Sequence, residues 1–135
     1  MTLDKLVNEE NFIYYLSKAR AESKKSIIGK AQVGAVLVKK GCIISKGHNR
    51  IKYSKVNDKY SRWKESTHAE VDALKKVMYL TGLNSTTLFV YRELKSGELA
   101  SSKPCDKCMA FIKFLKIKRI VYTINKFPYY EVVRL

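Results

Sequence analysis

The sequence predicts an α/β domain: one sheet with helices packed on its faces. Segments with apolar residues at three-and-four spacing alternate with short β-branched runs, in the order α-β-β-α-β-α-β-β. A chain of 135 residues can support one hydrophobic core but hardly two, so residues 1–135 are read as a single domain. The last two β-branched runs are separated only by residues 125–129. A parallel crossover needs a dozen or more residues, so the final strand should run antiparallel if it lies beside its predecessor. The alternative is a tail that does not join the sheet as that neighbour.

The first helix is expected from Asp4 to about Ser26, with Leu6, Phe12, Ile13, Leu16, Ala19 and Arg20 following helical spacing. Val33–Val38 and Cys42–Ser45, joined by Lys39-Lys40-Gly41, read as a hairpin. A polar stretch runs from Asn49 to Thr67. A helix follows from His68 to about Leu80, with Val71, Leu74, Val77 and Met78 on one face and Gly82 beyond its end. Thr86–Leu94 reads as a strand. The next helix starts at Pro104, whose missing N–H costs nothing at a first helical position, and turns Cys108, Phe111, Ile112 and Leu115 inward. Arg119–Ile124 and Tyr130–Val133 complete the strands.

Composition limits the partners. With 27 Lys+Arg against 12 Asp+Glu, the chain carries a net charge of +15. Such a field draws nucleotides, nucleic acid or other anions; the plainer reading is a lysine-solvated surface. The hydrophobic share of 46% makes a globular chain rather than a disordered basic tail. No apolar stretch nears the roughly 20 residues of a membrane span. The N-terminus, with Asp4, Lys5, Glu9 and Glu10, is too charged for a signal peptide, and three cysteines without an export signal suggest reduced thiols. An intracellular, cytoplasmic setting is therefore expected.

One constellation carries the chemistry: His68-Ala69-Glu70 and Pro104-Cys105-Asp106-Lys107-Cys108. Alone, the His is an ordinary surface or core residue and the C-x-x-C a redox pair. Together they bring one imidazole and two thiols to the starts of two helices on the same sheet. Helix N-termini favour thiolates, and three protein ligands leave zinc a fourth position for water. Glu70, two residues from His68, would be the base for that water. Cys42 matches no ligand position and reads as a buried small hydrophobe. Asp72 and Lys107 read as solvated residues, and His48 as a turn residue near the pocket or exposed.

H-A-E followed by P-C-x-x-C is the pattern of zinc nucleobase deaminases. The sequence resembles the cytidine/deoxycytidylate deaminase superfamily over nearly its whole length, including Val33–Val38 and Gly47-His48-Asn49. That resemblance implies a three-layer α/β/α fold with a mixed five-stranded sheet, and a Zn²⁺ cofactor held by His68, Cys105 and Cys108. Glu70 would deprotonate the zinc water, which attacks the amino-bearing carbon, and would then protonate the ring nitrogen and leaving ammonia. The Ala69 or Cys105 N–H would donate to the base's carbonyl oxygen, and Asn49 would contact base or sugar unless it serves its own turn. Relatives are oligomers, so a homo-oligomer is expected.

Between Asn49 and Lys64 stand Arg50, Lys52, Lys55, Lys59, Arg62 and Lys64 against Asp58 alone, interleaved with Tyr53, Tyr60 and Trp63. In the family this segment borders the pocket mouth. Arg50 and Trp63 are therefore candidate contacts to a phosphate or base, or to a single strand. Gly47-His48-Asn49-Arg50 departs from the Gly-Tyr-Asn-Gly turn of free deoxycytidylate enzymes, and residues 93–103 form a longer insert. The chain also lacks the helix that tRNA adenosine and polynucleotide cytidine deaminases place after the fourth strand. The expected reaction is hydrolytic deamination of cytidine, deoxycytidine or dCMP. Deamination of a base in RNA or single-stranded DNA, and a catalytically inactive zinc-stabilised nucleic-acid-binding module, are the alternatives; an intact Glu70 speaks against the last.

Overall fold

The computed structural model describes residues 3–27, 31–51 and 66–135. In chain order the elements are α1 (Leu3–Ser23), β1 (Ala31–Lys39), β2 (Cys42–His48), β3 (Arg50–Ile51), β4 (Ser66–Thr67), α2 (Ala69–Lys75), β5 (Thr86–Leu94), α3 (Asp106–Phe114), β6 (Arg119–Thr123) and β7 (Tyr130–Arg134). Five strands form one mixed sheet in the order β2-β1-β5-β6-β7. β5 and β6 are parallel, and β7 returns antiparallel beside β6, as the short connection requires.

Strand alternation divides the core into two layers. Ala35, Leu37, Leu88, Val90, Ile120 and Tyr122 face α2 and α3. Val36, Val38, Phe89, Tyr91 and Val121 pack beneath Phe12, Leu16 and Ala19 of α1. Adjacent residues of β1, β5 and β6 thus belong to opposite faces, the period of two expected of a sheet covered on both sides. The two-residue turn between β1 and β2 has Lys40 and Gly41 both at positive φ (49° and 80°), the geometry whose twist matches a hairpin.

Several expectations are corrected. Ile13 is 63% exposed, because α1 covers the sheet with the narrower stripe of Phe12, Leu16 and Ala19. The side chain of Leu6 lies outside the described residues. α2 stops at Lys75 rather than near Leu80; the chain continues in tighter turns, Val77 N–H to Leu74 O and Leu80 N–H to Val77 O, which swing Met78 outward. α3 begins at Asp106 with Cys105 as its N-cap, so Pro104 precedes the helix. Cys42 is exposed, not buried: it opens the edge strand β2 directly after the turn.

Two glycines set how closely the helices approach. A Cβ on Gly34 would collide with the α1 backbone at Ala19 and Ser23, and one on Gly47 with the α2 backbone at Ala69 and Ala73. Gly47 therefore seats against β2 the helix that carries Glu70. Ser45 Oγ, two residues earlier, donates to Ala73 O at 2.6 Å and fixes the same contact. Gly47→Ala should cost about 1–3 kcal/mol of folding stability, the range for overpacking a close contact. Denaturant unfolding checks it, and an unchanged midpoint would refute this seating.

Candidate metal centre

His68 and Cys105 occupy equivalent places. Each is the N-cap of its helix, with extended backbone (ψ 152° and 168°). Each carbonyl accepts a first helical bond, Asp72 N–H to His68 O at 2.9 Å and Met109 N–H to Cys105 O at 2.8 Å. Cys108 follows within the first turn of α3 and is buried. The result is a tight cluster: His68 Nδ1 lies 3.2 Å from Cys108 Sγ and 3.7 Å from Cys105 Sγ. The ligand atoms of all three lie within 4.8 Å of one another. His68 and Cys105 are exposed, so solvent reaches the cluster from their side.

Glu70, on the first turn of α2, is buried beside this cluster. Burial pushes its carboxyl pKa up, against the opposing pull of His68 and of a hydrogen bond from the Cys108 thiol. Burial likewise pushes the Cys108 thiol well up, and the charge of Glu70 and the neighbouring Cys105 push it further. Two thiols and a carboxylate thus share a confined space with a single imidazole. A divalent cation would hold such thiols as thiolates, and a sulfur, sulfur, nitrogen donor set suits zinc.

The segment before Cys105 is pinned by a buried hydroxyl pair. Ser102 Oγ donates to Val90 O at 2.8 Å and accepts from Thr123 N–H at 2.8 Å. Thr123 Oγ1 donates to Ala100 O at 2.9 Å and accepts from Arg92 N–H at 3.2 Å. Residues 100–102 are so fastened to the ends of β5 and β6, three residues ahead of the first sulfur. Sequence reading missed this pair; a Ser and a Thr 21 positions apart carry no local signal.

Asp72 also differs from its reading as a solvated residue. Its carboxylate accepts from His48 N–H at 3.1 Å and pairs with Arg50 Nε at 2.9 Å and Lys76 Nζ at 3.7 Å. His48 is largely buried rather than exposed: its Nδ1 lies 3.0 Å from Glu22 Oε1 of α1. Asn49 is buried, and its Oδ1 accepts from Val33 N–H at 3.0 Å, closing the β2 end onto β1. Arg50 and Ile51 pair with Thr67 and Ser66, so both ends of the basic segment meet next to His68. Lys107 is exposed, as expected, and Ala69 is fully buried. Trp63 and the rest of residues 52–65 lie outside the described residues.

A confined S₂N cluster with a buried acid beside it defines the class: a mononuclear metal centre of the kind that activates water. Comparison with known proteins gives the family. The model for the cytidine and deoxycytidylate deaminase zinc-binding region matches residues 9–124, and the chain belongs to that family. It is 30% identical over 112 residues to a tRNA-specific adenosine deaminase of Aquifex aeolicus (strain VF5), covering 82% of this chain; the chain spans 64% of that relative's length. The fold is similar to that of a cytidine deaminase from Burkholderia pseudomallei (TM-score 0.65, 19% identity, 90% of each chain). It is similar too to the dCMP deaminase of cyanophage S-TIM5 (TM-score 0.59, 23% identity, 82% of this chain and 80% of that one).

Two outcomes follow. Ser102→Ala should weaken zinc binding roughly tenfold in chelator competition, as loss of a supporting hydrogen bond does elsewhere; unchanged affinity would remove Ser102 from the positioning scheme. For Glu22, burial pushes the carboxyl pKa up, but hydrogen bonds and charge from His48 and Lys25 outweigh it and hold the group below its ordinary value. A depressed pKa stabilises above the unfolded-state value and loses that effect as pH falls through the folded one. The Tm gap between wild type and Glu22→Gln should be widest above the ordinary glutamate value of about 4.3 and close as pH falls through the lower folded-state value; a gap independent of pH would contradict the assignment.

Proposed function

We propose that the protein is a zinc-dependent hydrolytic deaminase converting cytosine to uracil in a free nucleoside or nucleotide: cytidine, deoxycytidine or dCMP. The observation that carries the reading is the buried Glu70 carboxylate set against the His68, Cys105 and Cys108 cluster. Those three residues would hold the metal. When bound, zinc supplies a Lewis acid that activates water toward the amino-bearing ring carbon. Glu70 takes one proton from the water and gives it to the ring nitrogen, then carries the second, from the hydroxyl added to the ring carbon, to the departing ammonia. Burial raises its pKa, the direction that helps a carboxylate accept a proton before giving it up.

Ala69 opens α2, so its N–H has no partner within the helix and suits a carbonyl oxygen of the base. Asn49 and Arg50 complete the substrate side in this reading, Arg50 held by Asp72 where a phosphate would approach. Trp63 joins them through the segment that begins and ends at the β3–β4 pair. Residues 1–135 act as one domain, assembled as an intracellular homo-oligomer. A free substrate is favoured by the C-terminus: after β6 the chain turns back at once as β7, with no helix in that position.

A second reading, deamination of a base within RNA, draws support from the Aquifex relative's name and from the charge of +15. Ammonia release from zinc-loaded protein separates the two, using cytidine, deoxycytidine, dCMP, cytosine oligonucleotides and an adenosine-containing tRNA stem-loop. Turnover of monomers supports the first reading; turnover of strands alone, falling steeply with salt, replaces it with the second. Glu70→Gln should lower kcat at least about 10²-fold and leave zinc content unchanged. Full activity in that variant would refute the role given to Glu70.

A further inference from the structure

At the end of the sheet away from the metal cluster, where β1 ends and β5 and β6 begin, a cleft of about 280 Å³ opens beside α1. Lys40 of the hairpin turn, Thr87 of β5 and Arg119 of β6 line it, with Phe12, Tyr15 and Phe89 as its apolar wall. Arg119 is partly buried and held in place twice. Its Nε–H donates to Thr87 Oγ1 at 2.7 Å, and its guanidinium carbon lies 4.9 Å from the centroid of the Phe12 ring. Its Nη donors make no hydrogen bond, and no carboxylate pairs with it, among the described residues.

The neighbour that a paired cation would want is replaced by another cation. Arg134 stands directly opposite Arg119 across β6 and β7. Like charges in register across two strands repel, and burial together with Arg134 pushes the Arg119 pKa down. Lys40 and Arg119 are the two cations lining the cleft, and Arg134 adds its charge from the position opposite Arg119. A guanidinium immobilised through Nε and across its face, with its forked donors uncommitted, is preorganised for an oxyanion.

We propose that this cleft is a binding site for a compact phosphate-bearing anion, anchored by Arg119 and supported by Arg134 and Lys40. Phosphate fits better than a carboxylate, because two cations line the cleft with a third opposite Arg119 on the neighbouring strand, and a phosphate ester carries close to two negative charges. The rings of Phe12 and Phe89 are buried, 8% and 1% exposed, and Tyr15 is packed against Phe89 and Tyr14 with its hydroxyl donating to Gly41 O, so the aromatic wall is committed to the fold. The recognised group is thus the phosphate itself, whether free or part of a nucleotide.

The test is thermal unfolding of the zinc-loaded chain across a titration of inorganic phosphate at constant ionic strength, repeated with dCMP. Wild-type Tm should rise saturably. In Arg119→Gln the half-saturating phosphate concentration should rise at least about tenfold, the scale of a lost charge-assisted bond. Lys95→Gln removes the same charge from an exposed loop and should change it by less than about twofold. Arg134→Gln should also weaken the response while raising the Tm of the anion-free protein, because the cross-strand repulsion is relieved; this variant decides the matter if Arg119→Gln does not fold. Because dCMP is also the substrate read for the metal site, its titration is compared between wild type and variant: a half-saturating dCMP concentration that rises in Arg119→Gln marks a nucleotide as the source of the phosphate, and one that stays while the phosphate response weakens marks the free anion. An equal loss in Lys95→Gln, or responses unaltered in both arginine variants, would overturn the proposal.

Discussion

Two helices that each begin on a donor residue, resting on one sheet, are what the site depends on. His68 and Cys105 end extended segments with the backbone geometry of N-caps, so their side chains meet where α2 and α3 start. The meeting point is set from below. Gly47 lets α2 lie against β2, and the Ser102–Thr123 pair fastens the approach to α3 onto β5 and β6. Neither device touches the cluster. Both fix where it forms, to a tolerance that side-chain flexibility alone would not reach.

Scarce acids do the organising in this basic chain. Against 27 basic residues stand 12 acidic ones, and several of these are withdrawn from the surface. Glu22 gathers Lys25 and His48, Asp72 gathers Arg50, Lys76 and the His48 N–H, and Glu93 gathers Arg20 and Lys24. Glu22 and Asp72 both engage His48, so α1, the end of β2 and the first turn of α2 are joined through one residue. Exposed ion pairs contribute little, but carboxylates this shielded are screened less and hold their partners in place. Glu70 is the buried acid that lies beside the metal cluster instead.

The topology was legible because its signals are local or arithmetical. Lys40-Gly41 between two β-branched runs announces a hairpin, and a five-residue gap before the last strand requires an antiparallel return wherever that strand joins its predecessor. The donor residues were legible too, since H-A-E and P-C-x-x-C are contiguous. What sequence could not disclose depends on partners distant along the chain. Ile13 satisfies helical spacing yet faces solvent, because α1 meets the sheet only through the stripe of Phe12, Leu16 and Ala19. Cys42 has the character of a core residue but stands on an edge strand. Asp72, His48, Ser102 and Thr123 acquire their roles from residues 21 or more positions away, and no short pattern encodes such pairs.

Zinc-edge X-ray absorption on the metal-loaded protein tests the central claim most directly, because it counts the donor atoms around the ion. Two sulfur scatterers at about 2.3 Å and two lighter nitrogen or oxygen scatterers at about 2.0 Å are expected, one light scatterer being exchangeable. Four protein donors, or a shell containing fewer than two sulfurs, would contradict the account.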